Sequence, residues 1–144
     1  MTSLIELHEP IIKVSSTYQR DVKNFGKQFM TDNDDETCWN SDQGSPQSIL
    51  INFEENEVCP KTLLCMFQGG FAGKECEIKG FINDSWETIT EFFPEDSNTL
   101  QISFYISMNF PLNVTEPCSK FKIVFKTSTD FYGRIIIYKL DLQE

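Results

Sequence analysis

The chain has 144 residues, of which 22 are acidic and 12 are basic, so its net charge at neutral pH is −10. This length fits a single domain, 1–144, with a full hydrophobic core. An apolar content of 40% excludes an intrinsically disordered chain. The acidic excess argues against direct binding of nucleic acid, which usually needs a basic face, and against binding to an anionic membrane.

The amino-terminal segment and the cysteines together predict the compartment. No apolar run approaches the roughly 18 residues that a membrane-spanning helix needs. The first ten residues contain Glu6 and Glu9 and lack the apolar stretch of a signal peptide. The five cysteines form an odd number and, without a secretion signal, are expected to be reduced thiols. We therefore expect a soluble, intracellular protein.

Apolar residues recur with a period of two through most of the chain, which is the pattern of β-strands. No segment has a convincing helical pattern. About eight short antiparallel strands separated by turns predict an all-β sandwich or barrel. The strand at 62–67 is apolar on both faces, which predicts a central strand covered on both sides. The predicted strands are 10–16, 48–53, 62–67, 75–82, 86–93, 100–106, 121–125 and 134–142.

An acidic turn precedes Trp39, one of the two tryptophans of the chain. We expect the large apolar ring of Trp39 to be a buried core anchor that holds the turn against the first and last strands. The acids at Asp32 and in 34–36, with Thr37 behind them, supply the clustered oxygens that calcium prefers. Their spacing is not that of an EF-hand loop, and the same residues suit a solvated turn that caps a short helical turn. Both interpretations of the turn stay open.

The sequence offers little for catalysis or for zinc. His8 is the only histidine, and it lies in a tail that we expect to fray. No Ser–His–Asp or Cys–His arrangement can therefore be built around a second imidazole. The cysteines are not in Cys-x-x-Cys pairs, and Cys65 and Cys76 occupy inward strand positions where a thiol usually fills apolar space. We expect the protein not to be an enzyme.

Two loops combine aromatic residues with glycine. The first contains Gln68, Gly69, Gly70 and Phe71, and the second contains Asp130, Phe131 and Arg134. Aromatic side chains in loops expose apolar area, which is typical of binding surfaces. The Arg134 guanidinium is suited to grip a carboxylate. Alternatively, Phe71 and Phe131 plug the open ends of the sandwich.

Several short motifs resemble the discoidin or coagulation-factor type C domains. These are Val14-Ser15-Ser16, the acidic turn before Thr37-Cys38-Trp39, and Gln68-Gly69 after an apolar strand. The resemblance implies a galactose-binding-like jelly-roll β-sandwich, with the termini at one end and ligand loops at 17–26, 68–73 and 128–133 at the other. It also implies calcium held by Asp32 and Thr37. The aromatic spikes that insert into membranes in the clotting proteins are not matched, since Tyr18 and Phe25 are the only aromatics of the first loop.

A narrower resemblance covers nearly the whole chain. Phe25-Gly26-Lys27 and the segments 35–44, 67–71, 94–96, 129–131 and 133–134 are similar, in the same order, to a family of nuclear receptor-associated proteins. This implies a protein of the nucleus, and also of the cytoplasm, that binds an orphan nuclear receptor and represses transcription by hindering DNA binding. Two alternatives stay open: a lectin-like domain that binds a saccharide at the loop end, and an adaptor subunit of a larger complex.

Overall fold

Two antiparallel sheets form the protein, whose structure is a computed structural model describing residues 2–94 and 105–144. Within these residues the strands are β1 (Ile11–Val14), β2 (Trp39–Asn40), β3 (Gln47–Asn52), β4 (Thr62–Gln68), β5 (Cys76–Ile82), β6 (Ser85–Phe92), β7 (Tyr105–Pro111), β8 (Lys120–Phe125) and β9 (Ile136–Gln143). The first sheet has the order β1-β3-β8-β5-β6, and the second has the order β2-β9-β4-β7. The predicted all-β sandwich is confirmed.

The core lies between the two sheets, because alternate side chains of each strand point inward. Ile49, Ile51 and Ile123 come from the first sheet, and Leu63 and Leu142 come from the second; all are fully buried. Burying one such side chain contributes about 1.5–3 kcal/mol to stability. Aromatic rings add edge-to-face contacts within this core, at Phe53–Phe121 and Phe67–Phe125.

Two strand predictions need correction. The described residues contain nine strands, and the additional one is β2, whose two residues pair with β9 and are too few to show a period. We expected the strand that begins at 100 to end at 106. Residues 100–104 lie outside the described part, and β7 continues to Pro111. A proline is tolerated there because β7 is an edge strand.

The inner position of β4 is confirmed, but its predicted double cover is only partial. β4 lies between β9 and β7 in the second sheet. Leu63, Cys65 and Phe67 on its inner face are fully buried, whereas Leu64 and Met66 on its outer face are half-buried. Apolar residues on the outer face of β4 are therefore not evidence that a second layer covers the sheet.

The expectation of no helix is wrong at two places. α1 spans Leu4–His8 and α2 spans Val22–Phe25, and single 3-10 turns occur at Tyr18–Arg20 and Lys27–Met30. These helices are too short to show a hydrophobic period. Among the helices of residues 2–94 and 105–144, none has the length and apolar content required to cross a membrane.

The amino-terminal tail is held in place, contrary to the expected fraying. Ser3 caps α1 by accepting a hydrogen bond from the backbone N–H of Glu6 at 3.1 Å. Leu4 and Ile5 are buried in the core, and the His8 ring meets Phe53 edge-on with 5.9 Å between ring centroids. Burial of the two apolar side chains outweighs the weak helical propensity of a five-residue segment.

The strand directions gather the loops at one end of the sandwich. β1, β4 and β8 all run toward the end that carries 15–38, 69–75 and 126–135, and β9 runs back from it. At the other end the two chain termini pair, since the N–H groups of Thr2 and Glu144 each donate to the other residue's carbonyl. The sheet topology thus brings together loops that are far apart in the sequence.

Candidate functional site

Arg134 is the centre of the loop end. Its guanidinium carbon lies 4.3 Å from the ring centroid of Tyr18 and 5.2 Å from that of Phe71. Tyr18 comes from the loop after β1 and Phe71 from the loop after β4, so one side chain joins three loops. Cations within about 6 Å of an aromatic ring face are attracted to it electrostatically. The contacts therefore fix the guanidinium in place and also hold the three loops together.

Both the backbone and the side chain of Arg134 form hydrogen bonds that fix its position. Its backbone N–H donates to Oδ2 of Asp130 at 3.0 Å, and its carbonyl accepts from the Ser128 hydroxyl at 2.7 Å. One terminal nitrogen, Nη2, donates to Oδ1 of Asn40 at 3.3 Å. The buried Nε has no hydrogen-bond partner among the described residues. Because this Nε is enclosed, an incoming acceptor would reach it only if the neighbouring side chains moved.

Phe131 and Tyr132 form the exposed tip of the same loop. Phe131 is 93% exposed and Tyr132 is 61% exposed, and the two rings meet edge-on with 5.3 Å between centroids. The alternative that Phe131 plugs the end of the sandwich is therefore wrong. Phe71, in contrast, is half-buried against Arg134. Of the two loop phenylalanines, only Phe131 offers its ring to solvent.

The other predicted loop residues lie around this cluster and differ in what they contact. Phe25 is half-buried and packs edge-on against Tyr18, with 5.5 Å between centroids. The Gln68 side chain accepts a hydrogen bond from the Tyr138 hydroxyl at 3.2 Å. Gly69 and Gly70 form the turn that follows β4, and Gly70 has a φ of 88° that favours glycine. Phe25 thus supports the cluster, while Gln68 bonds to the neighbouring strand β9 of its own sheet.

A turn at 41–46 packs directly under the exposed tip. The Gly44 N–H donates to the carbonyl of Tyr132 at 2.8 Å. Gly133 has a φ of 86°, and a Cβ at this position would lie 2.8 Å from the backbone of Gly44. Only glycine fits so close an approach without displacing the turn. This packing presents Phe131 and Tyr132 to solvent on a supported loop.

The buried Gln47 side chain ties this turn to the end of β1. Its Oε1 accepts from the hydroxyls of Ser15 and Ser16 at 2.6 and 2.7 Å, and its Nε2 donates to the carbonyls of Asp42 and Gly44 at 3.2 and 2.8 Å. Every polar atom of the amide is thus engaged. Satisfied buried networks of this kind are rigid, which gives the loop end a fixed base.

Trp39 is fully buried and lies beside the same network. It pairs with Ile137 of β9, and its indole N–H donates to the carbonyl of Ser16, just after β1, at 3.0 Å. The residue therefore contacts the segments that we expected it to hold together. Since Trp39 follows the acidic turn and begins β2, it also sets where the chain enters the second sheet after that turn.

The acidic turn brings Asp32 and Thr37 together. The Thr37 hydroxyl donates to Oδ2 of Asp32 at 2.6 Å and to the carbonyl of Asp34 at 3.2 Å. Asn33 has a left-handed φ of 59°, which asparagine tolerates. These three oxygens are of the kinds that calcium binds, so the donor chemistry fits. No group of three or more acidic, histidine or cysteine side chains suited to a metal occurs in 2–94 and 105–144. Calcium at this turn stays a prediction.

The buried cysteines are poor nucleophiles. Burial raises the pKa of Cys76 to about 12, with a smaller contribution from the charge of Glu75. Burial likewise raises the pKa of the Cys118 thiol to about 11, with smaller contributions from Cys59 and Glu57. Thiols with such pKa values are protonated near neutral pH, and the thiolate is the reactive form. Their chemistry is therefore that of core side chains.

Three residues of the cluster were not predicted as site residues from the sequence: Tyr18, Asn40 and Tyr132. Asn40 lies beside the buried Trp39 in a strand too short to recognise, and Tyr18 lies in a long polar segment. Tyr132 follows Phe131 directly, so the adjacent aromatic pair was a readable signal. No local pattern indicates that Tyr18 or Asn40 meets Arg134.

Comparisons with known proteins identify the family of the chain. No family model matches it. The nuclear receptor 2C2-associated protein of Danio rerio is 47% identical over 90% of this chain and 87% of its own length. The protein of the same name from Xenopus tropicalis is 44% identical over 92% of this chain and 91% of its own. The chain belongs to the nuclear receptor 2C2-associated protein family. The narrower resemblance is thus confirmed, and these relatives are named as associated proteins, not as enzymes.

Solved structures confirm that this family member has a galactose-binding-like jelly roll. A family 32 carbohydrate-binding module of Clostridium perfringens NanJ, in complex with galactose, superposes with a TM-score of 0.75 at 15% identity, over 98% of this chain and 97% of the module. The C-terminal domain of a chitobiase from Bacteroides fragilis gives a TM-score of 0.75 at 16% identity, over 99% and 97%. At such identities the likeness concerns the fold alone.

Proposed function

We propose that the protein is a non-enzymatic protein-binding module that docks an orphan nuclear receptor through its loop end. The observation that carries the proposal is the 93% exposure of Phe131, on a loop supported from beneath by Gly44. Exposed aromatic rings beside an arginine are typical of the residues that dominate protein interfaces. The names of the curated relatives supply the partner, an orphan receptor of the nuclear receptor 2C2 type.

The loop end has the composition of an interface centre. Phe131 and Tyr132 offer apolar area, and Arg134, in the same loop, adds a positive charge. The guanidinium is already positioned by Tyr18 and Phe71, so little conformational entropy is lost when it binds. A pre-positioned cation in the same loop as two exposed rings supports recognition of a surface that combines an apolar pocket with a carboxylate.

The bound protein represses the receptor by hindering the receptor's contact with DNA. It acts in the nucleus and is also present in the cytoplasm. The net charge of −10 supports this mechanism. An acidic protein held beside the receptor's DNA-binding surface repels the phosphate backbone and so opposes the electrostatic attraction that drives DNA binding. Repression then depends on docking and requires no chemical step by this chain.

A pull-down with purified receptor domains tests the proposal. The wild-type protein is expected to retain the receptor, and the folded Phe131→Ala/Arg134→Ala variant is expected to lose it. Phe93→Ala is the matched control, since Phe93 is also an exposed phenylalanine, at 61%, but follows β6. Equal retention by the double variant and the control would place the interface elsewhere. Using the ligand-binding and DNA-binding domains separately identifies which one is bound.

A second candidate is a lectin-like function at the same cluster. The observation in its favour is the combination of the Arg134 guanidinium with the rings of Tyr18 and Phe71, since saccharides stack on aromatic rings and hydrogen-bond to arginine. Galactose is the probe for this candidate. Stabilisation of the wild type by millimolar galactose, absent in Arg134→Ala, would favour the saccharide. An adaptor role in a larger complex would instead require a further protein for receptor retention.

A further inference from the structure

Five lysines lie on the outer surface of the first sheet. They are Lys13 on β1, Lys79 on β5, Lys120 and Lys122 on β8, and Lys126 just after β8. On β8 they alternate with the buried Phe121, Ile123 and Phe125 and therefore point away from the core. The whole chain has only 12 lysines and arginines beside 22 acids. A large share of its positive charge is thus concentrated on one face.

The strand register arranges most of these lysines in two cross-strand rows. In the first row Lys13 is opposite Leu50, Leu50 is opposite Lys122, and Lys122 is opposite Lys79. In the second row Lys120 is opposite Asn52 and lies beside the Phe81–Trp86 pair. Directly opposed residues of antiparallel strands point to the same side, and rows two residues apart are separated by about 7 Å. The charges therefore form a continuous patch.

Two half-buried aromatic rings hold lysine ammonium groups on this surface. Nζ of Lys122 lies 5.0 Å from the ring centroid of Trp86, and Nζ of Lys120 lies 5.4 Å from that of Phe81. The two rings meet each other with 5.2 Å between centroids. Such cation–π contacts restrict the lysine stems without neutralising their charge. We call Lys13, Lys120, Lys122, Phe81 and Trp86 the lysine face.

Among residues 2–94 and 105–144, carboxylates pair with lysines at the neighbouring end of the sheet. Glu77 lies 3.2 Å from Nζ of Lys79 and 3.5 Å from Nζ of Lys126, and Glu91 is opposite Glu77 on β6. In the described part of the chain, Lys13, Lys120 and Lys122 form no ion pair with a carboxylate. Among the described residues, the folded protein thus retains three lysines without an ion pair on one face of an otherwise acidic molecule.

We propose that the lysine face binds an acidic segment of a partner polypeptide. The charge is complementary, and the aromatic rings add apolar contact area beside the ammonium groups. The face spans the strands from β1 to β6, about 20 Å at the usual strand spacing, which suits a short peptide segment. A nucleic acid duplex would extend beyond it and meet the acids that give the rest of the chain its net charge of −10. The surface is separate from the loop end, so this inference goes beyond receptor docking there.

A fluorescein-labelled Glu-Ser repeat peptide, followed by fluorescence anisotropy, tests the inference. Wild-type protein is expected to bind it at about 0.1 M salt, and the Lys120→Glu/Lys122→Glu variant to bind at least about tenfold more weakly, since attraction becomes repulsion at the contact. Lys61→Glu/Lys74→Glu is the matched control, because it makes the same change in net charge at two exposed lysines outside the face. The control is expected to bind within about threefold of wild type, because exposed charges beyond about 10 Å are largely screened.

Tryptophan emission gives a second readout. Trp39 is fully buried, whereas Trp86 is half-exposed on the face, so peptide binding is expected to shift the Trp86 emission. Equal weakening in both double variants would attribute binding to net charge alone and overturn the inference. Absence of peptide binding by the wild type would overturn it too. Tighter binding of a DNA duplex or of phosphatidylserine vesicles than of the peptide would assign the face to a different anion and contradict the proposal.

Discussion

Arg134 and Tyr18 meet at 4.3 Å between the guanidinium carbon and the ring centroid, and the contact joins the first loop of the sandwich to the last. Neither residue is part of a regular strand, so this contact and its neighbours determine how the loops are arranged. The exposed tip at Phe131 is three residues from Arg134 and is positioned by the same segment. Stability of the loop end and recognition of a partner are therefore physically linked.

The Arg134–Tyr18 contact is expected to stabilise the folded protein. In a double-mutant cycle with Arg134→Met and Tyr18→Leu, we expect a coupling energy of about 0.5–1 kcal/mol, the usual value for a partly exposed cation–π pair. Urea unfolding of the four proteins measures it. Strict additivity of the two substitutions would show that the contact contributes nothing. Phe131→Ala is the control, and as a solvent-exposed substitution it should change stability by less than about 0.5 kcal/mol.

The hydrogen bond from Trp39 to Ser16 is expected to contribute to stability in addition to the buried ring. Trp39→Phe keeps an apolar ring, but it removes the indole N–H and leaves a cavity. We expect a loss of about 1–3 kcal/mol in the free energy of unfolding. Trp86→Phe makes the same chemical change on the half-exposed lysine face and should cost less. A smaller loss for Trp39→Phe than for Trp86→Phe would show that Trp39 does not anchor the turn.

Calcium binding at the acidic turn predicts a chelator effect. If Asp32 and Thr37 hold calcium, EDTA lowers the Tm and an excess of calcium restores it, since a ligand that binds only the native state stabilises it. Asp32→Asn removes a charged ligand and should abolish the difference. Asp84→Asn, in the turn between β5 and β6, is the control. Identical Tm values for the wild type with EDTA and with calcium would leave the turn as a hydrogen-bonded cap.

Glu77 predicts a pH dependence of stability. Burial raises the pKa of its carboxyl, but a hydrogen bond from Lys79, the charges of Lys79 and Lys126 and a hydrogen bond from Thr88 outweigh it and hold the pKa below its ordinary value of 4.5. A carboxyl whose pKa is lowered by folding stabilises the native state above the ordinary value, and this contribution is lost as the pH falls through the folded value. Glu77→Gln should therefore reduce the loss of unfolding free energy that is expected as the pH falls below 4.5.

The size of the Glu77 effect is limited by solvent. Lys79 and Lys126 have side chains that are 31% and 48% exposed, so we expect less than about 1 kcal/mol at neutral pH. Urea unfolding of wild type and variant at several pH values measures it. Glu87→Gln, an exposed residue of β6, is the control for loss of one charge. Parallel stability curves for wild type and Glu77→Gln would contradict the prediction.

The sheets are predictable from the sequence because alternation of side chains encodes which face is buried. Phe121 and Ile123 on β8 are flanked by Lys120 and Lys122 and face the core, as do Ile49 and Ile51 on β3. The turn at Asn83 and Asp84 is also readable. Both residues have positive φ, as in the two-residue turns that join hairpin strands.

The short elements and the contacts between loops are not readable from alternation. α1 is signalled only by the cap between Ser3 and Glu6, and its stability comes from burial of Leu4 and Ile5, which depends on the tertiary structure. The Arg134 contacts with Tyr18 and Asn40 depend on the sheet topology, which brings distant segments together. The sequence therefore indicates the loops that form the site but not their mutual geometry.

The proposed role of the loop end is tested most directly by isothermal titration of the receptor 2C2 domains with wild type, Phe131→Ala/Arg134→Ala and Phe93→Ala. If the loop end is the centre of the interface, the double variant binds at least about 30-fold more weakly, which corresponds to the roughly 2 kcal/mol of a hot spot, while Phe93→Ala binds as the wild type does. Wild-type affinity in a double variant that retains the native melting transition would contradict the account.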